Sequence, residues 1–93
     1  MALNFTSLAP SFSGVYTAAA GTVNTVTATL ISVTVGEAQP NMVILATPAE
    51  ALAAGVAMGQ AYCATKGTVV IPFINPTAGN VNVGDVSVNI VGL

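Results

Sequence analysis

Apolar side chains recur along this chain with a period of two, and many of their carriers are β-branched. From Thr22 to Val35 threonine and valine dominate, residues whose stiff, branched side chains suit a pleated surface. Within that stretch Val26, Ala28 and Leu30 are apolar on even positions, whereas Ile31, Val33 and Val35 are apolar on odd ones. A one-residue change of phase flips a strand's inward face, so the pattern predicts a bulge or a corner at Leu30-Ile31. Met42 to Ala46 is short, apolar on both faces and preceded by a turn at 36–41, which predicts a sandwich-core strand. Val56, Met58, Gln60 and Tyr62 then alternate with the small residues Ala57, Gly59, Ala61 and Cys63. That small-residue stripe suits close packing against an opposing sheet or subunit.

After a compact turn at 64–67, Val69, Ile71 and Phe73 form the apolar face of the next strand. Pro72 lies inside it and has no N–H for the ladder, so it belongs at an edge or a bulge. Asn75 to Asn80 is a turn. Val81 and Val83 lead into Val86-Ser87-Val88-Asn89-Ile90, whose clean alternation predicts a half-buried strand with Ser87 and Asn89 outward.

Two segments depart from this grammar. Thr47-Pro48-Ala49-Glu50 has the form of a capping box, with Thr47 and Glu50 as reciprocal caps and proline at the first helical position. The alanines that follow and Gly55 as a stop predict one helical turn at the sheet edge. Residues 1–21 show no sustained periodicity but carry Phe5, Phe12, Val15 and Tyr16. They are expected to form an N-terminal arm, packed on its own domain or on a neighbour, ahead of a domain at 22–93. Phe12, Gly14 and Tyr16 would share one face of a short strand there. The expected fold is all-β: a small antiparallel β-sandwich or barrel of about six to eight strands.

Composition sharpens the picture. A chain of 93 residues allows one domain, burying roughly 63% of its unfolded surface. Its only charged side chains are Lys66, Glu37, Glu50 and Asp85, for a net charge of −2. Charge makes up 4% of the residues, against roughly 25–35% of a typical soluble surface. Such a surface is wetted by hydroxyls and amides, or a large part of it is covered by another protein. One lysine and no arginine cannot neutralise a phosphate backbone or hold an anionic leaflet, so neither nucleic acid nor a membrane surface is an expected partner. Mean hydropathy is +0.84, yet no apolar run approaches the ~18 residues of a membrane span. The opening Met-Ala-Leu-Asn-Phe-Thr lacks the basic and apolar regions of a signal peptide.

The same inventory limits the chemistry. Without histidine and with one cysteine, zinc centres and histidine-dependent triads are excluded. Asp85 with Asn80 falls far short of a calcium site. No phosphate-cradling loop is present. The expectation is no cofactor, no metal and no enzyme activity. Cys63 reads as a small core hydrophobe, and Glu50 as a cap. The candidate interface residues are Phe5, Phe12 and Tyr16 of the arm, with Ala57, Gly59, Ala61 and Cys63 of the small stripe.

The run from Thr47 to Val91 contains Ala61-Tyr62, Gly67-Thr68-Val69 and Asn75-Pro76-Thr77, and ends on a Val-Ser-Val-Asn-Ile-Val strand. In this order it resembles a group of small structural proteins encoded among the head genes of tailed bacteriophages. The resemblance implies a virion component: a capsid decoration, or cement, protein that trimerises on the major capsid protein. It would be made in the host cytoplasm and end on the outer capsid surface. Two other readings use the same sandwich. A head-fibre or tail-tip receptor-binding module needs exposed aromatic residues in its loops. A subunit of another surface assembly, such as a pilus, needs a secretory leader.

Overall fold

Strand propensity and alternation are realised throughout a computed structural model, which describes residues 11–53 and 55–93. Seven strands form among these residues: β1 (Phe12–Val23), β2 (Thr27–Thr34), β3 (Ile44–Pro48), β4 (Ala57–Met58), β5 (Tyr62–Thr65), β6 (Thr68–Asn75) and β7 (Val81–Gly92). One sheet has the order β1-β7-β3; the other has β2-β6-β4, with β5 also paired to β6. Every pairing is antiparallel. The fold is a small all-β sandwich, with no helix among the described residues.

The central strands β6 and β7 carry the core. Val69, Ile71 and Phe73 face Val88 and Ile90 across the sandwich, all fully buried. Here the odd-position face read for β6 and the even-position face read for β7 both hold. At the open end of the first sheet, Phe12, Gly92 and Ile44 lie in one cross-strand row. A Cβ at position 92 would fall inside the Phe12 ring, so Gly92 is the seat for that aromatic.

Polar groups close the other end. Asn75, the last residue of β6, is 0% exposed. Its Nδ2 donates to Val23 O (3.0 Å) and Gly79 O (2.8 Å), while its Oδ1 accepts from Thr77 N (3.0 Å) and Thr77 Oγ1 (2.5 Å). Both donors and both lone pairs of the carboxamide are thereby used. Its backbone carbonyl accepts from Val26 N at 2.7 Å. Thr25 adds its N–H to Asn80 Oδ1 at 2.9 Å and its hydroxyl to Thr77 O. The crossovers β1–β2 and β6–β7 are tied together here. Val26 takes φ +53° in the first of them, a left-handed conformation that a β-branched residue adopts only under constraint.

Several expectations are corrected. Leu30-Ile31 is neither a bulge nor a corner: β2 pairs with β6 in unbroken register from Thr27↔Asn75 to Thr34↔Thr68. Its odd residues Val33 and Ile31 turn inward, and Leu30 stays on the outer face, 58% exposed. The irregularity lies instead in β1 around Gly21 (φ +62°), opposite Gly84 (φ +69°). It shifts the buried set from Ala18 and Ala20 to Val23. β1 runs across 21/22, and Phe12–Val23 packs as an edge strand of the sandwich, one of the two placements expected for the arm; residues 1–10 lie outside the described residues. The segment read as a core strand forms β3 at the other edge, with Ile44 buried and Val43 and Leu45 exposed.

No helix follows Thr47. That residue pairs with Asn89 inside β3, and the ladder runs on as Ala49 N donates to Ser87 O at 2.8 Å. An isolated pair of helical turns is marginal, whereas strand pairing with the central β7 satisfies the same backbone groups. Pro72 lies in the central strand, not at a sheet edge. Its carbonyl accepts from Gly59 N at 2.7 Å, so its missing N–H points the same way, into the break between β4 and β5.

Two stability measurements test this end of the molecule. Asn75→Ala leaves the buried Val23 carbonyl and the Thr77 N–H without their partner, and should cost about 2 kcal/mol in urea unfolding. Val26→Asn keeps the backbone and relieves the left-handed strain. It should gain about 1 kcal/mol, and a loss instead would mean that the valine side chain contributes to packing.

Candidate functional site

Cross-strand neighbours share a face, so the register defines what each sheet shows to its surroundings. On the sheet of β2, β6, β4 and β5 the outer rows are Ala28–Ile74–Ala57, then Leu30–Pro72–Gly59, then Ser32–Val70–Tyr62, and last Thr34–Thr68–Thr65. Three rows are largely apolar and the fourth is threonine. Leu30 is 58% exposed, Tyr62 43% and Ile74 39%. None of the four charged residues belongs to these rows; Lys66 sits in the turn beyond the threonines.

The outer face of the β1-β7-β3 sheet differs. Its rows include Val15–Asn89–Thr47, Thr17–Ser87 and Ala19–Asp85, and Glu50 lies beside Ser87, accepting its N–H at 3.1 Å. Hydroxyls, amides and two carboxylates wet much of this side, which also exposes Val15 and, in the row Ser13–Val91–Leu45, Leu45. The fold has one largely apolar sheet face and one that mixes polar and apolar side chains.

The candidate interface residues separate accordingly. Ala57 and Gly59 are on the apolar outer face, where a Cβ on Gly59 would sit 3.3 Å from both Pro72 Cβ and Ile74 Cδ1. Ala61 and Cys63 are buried on the inner side, and the Cys63 thiol donates to Thr65 O at 3.1 Å. The stripe is split because the chain changes phase through the break at 59–61. Phe12 is a core residue, and Tyr16 is half-buried with its ring against Gly14. Phe5 lies outside the described residues.

Thr47 and Glu50 cap no helix; Thr47 is an exposed strand residue and Glu50 satisfies β7. Sequence reasoning missed Leu30, Tyr62, Val70, Pro72 and Ile74 as members of one surface. The signal was present in apolar residues on both phases of β2 and β6, which is the mark of a strand apolar on both faces.

Among the described residues no three His, Cys, Asp or Glu side chains gather where they would hold a metal ion. The rows of the β2-β6-β4 sheet build an uncharged, largely apolar surface with hydroxyls at one end.

Glu50 gives a local test. Glu50→Ala removes the acceptor for Ser87 N and should cost about 0.5–1 kcal/mol, while Glu50→Gln keeps an oxygen there and should cost less. Equal losses in thermal melts would mean that the contact contributes nothing.

Comparison of the chain with protein families, with curated proteins and with solved structures yields no match.

Proposed function

We propose that this protein is a structural component of a tailed-phage virion, a decoration protein that docks on the outer surface of the head and stabilises it. One observation carries the reading: the motifs behind the head-protein resemblance fall on consecutive parts of one sheet. Ala61-Tyr62 leads into β5, Gly67-Thr68-Val69 makes the turn into β6, and Asn75-Pro76-Thr77 starts the buried knot that closes the sandwich. They are framework positions, and their placement in the sandwich supports the reading. An uncharged, largely apolar sheet face adds support, since a clamp needs area and not catalytic groups.

The reading places the protein on the major capsid protein as a homo-oligomer, for which the resemblance implies a trimer. The receptor-binding alternative draws no comparable support. Tyr62 lies on a sheet face, Tyr16 is half-buried in β1, and Phe12 and Phe73 are core.

Mixing the purified protein with heads that lack it, followed by sedimentation and cryo-electron microscopy, tests the proposal. The expected result is saturable binding in proportion to the major capsid protein and greater resistance of the heads to heat. No binding sinks the proposal; binding restricted to a vertex or tail site replaces it with a different virion role.

A further inference from the structure

We infer that the outer face of the β2-β6-β4 sheet is a homotypic interface, packing on the same face of a second copy about a two-fold axis along β6. It does not depend on the capsid reading: it gives this face to a second copy in place of the head surface, and a two-fold pair in place of the trimer that the resemblance implies. The first argument is shape. In the two middle rows the strands on either side of β6 differ in size: Leu30 stands opposite Gly59, and Tyr62 opposite Ser32, with Pro72 and Val70 between them; the end rows carry alanine on both sides and threonine on both sides. A half-turn about an axis along β6 exchanges the two sides. It seats Leu30 of one copy over Gly59 of the other, twice, and Tyr62 over Ser32, twice. Large side chains then meet small ones, as interdigitation between stacked sheets ~10 Å apart requires.

The second argument is charge. Each copy carries −2, so two copies meet most easily through a face free of carboxylates. Glu50 and Asp85 belong to the opposite sheet, while Glu37 and Lys66 lie in neighbouring turns beyond the threonine row, outside the apolar rows. Pairing through the apolar face leaves Glu50 and Asp85 on the two far sides of the assembly, well beyond a Debye length of about 8 Å.

The third is area. β2 and β6 have 8 residues each. A face ~26 Å long and three strands, ~14 Å, wide offers on the order of 500 Å² of accessible surface once side-chain relief is included. Two such faces bury on the order of 1,000 Å², the lower limit of specific interfaces, which fits reversible pairing at micromolar concentration.

Sedimentation equilibrium of the full chain should give a dimer that dissociates on dilution. Leu30→Lys places two cations against the facing sheets and should weaken pairing at least ~100-fold, with the β-sheet circular dichroism unchanged. Gly59→Asp should do the same, and mixing the two variants should restore a heterodimer, because the two-fold sets each new charge against its opposite. Leu30→Thr, a residue at home in this sheet, provides the same reading if the lysine variant does not fold. A monomer at every soluble concentration, a trimer, or a dimer indifferent to Leu30→Lys overturns the inference. A monomeric wild type whose Leu30→Lys variant loses head binding would assign the face to the capsid instead. Head binding that fails while dimerisation holds removes only the decoration reading.

Discussion

The buried carboxamide of Asn75 is the constraint on which the sandwich geometry depends. A polar side chain with no exposure is tolerated in a dry interior only when every donor and acceptor is matched, and here the partners come from two crossovers at once. Val23 O ends the strand before one crossover, Thr77 and Gly79 build the other, and Asn75 itself ends β6. Aspartate would lack the two donors that face carbonyls, and leucine would leave the Val23 carbonyl unpaired. The amide therefore sets where each of two connections leaves its sheet.

That anchoring propagates along the strands. Asn75 pairs with Thr27, so fixing it fixes the first rung of the β2–β6 ladder. The remaining rungs then put Val33 inside and Leu30 outside. A slip by one residue would exchange these sets, and the apolar rows outside give the hydrophobic effect alone little preference between them. Polar matching at one end supplies what burial cannot. Val26 is held in its left-handed turn by the same residue, through the hydrogen bond from its N–H to Asn75 O. Local strain and register are two results of one knot.

These features also explain what the sequence discloses. Thr/Val alternation and the faces Val69/Ile71/Phe73 and Val86/Val88/Ile90 are readable because each strand has one strongly buried phase. Leu30-Ile31 misleads for a physical reason: period-two reasoning assumes that one face meets water. When the outer face is apolar too, a regular strand looks like a phase slip. The capping box at Thr47-Pro48-Ala49-Glu50 is a correct local signal overridden by non-local pairing, since β7 provides a partner for the same backbone. Of the interface candidates, Ala57 and Gly59 are legible as surface and Ala61 and Cys63 are not. The break opposite Pro72 reverses the chain's phase between the two pairs, and only the three-dimensional register reveals this.

The pairing of β1 with β7 has a temporal consequence. Phe12 lies beside Gly92, and β7 is the strand that joins β1 to β3. That sheet has no centre until its last strand has been synthesised. At roughly 5–20 residues per second, β1 waits several seconds after emerging before its partner exists. During that time a long, uncharged strand with its backbone groups unpaired is open to other chains. That sheet thus closes only after β7 has emerged, and its folding is sensitive to how crowded the ribosomes on one message are. Slower initiation, which spaces nascent chains apart, would raise soluble yield more effectively than lower temperature applied after synthesis.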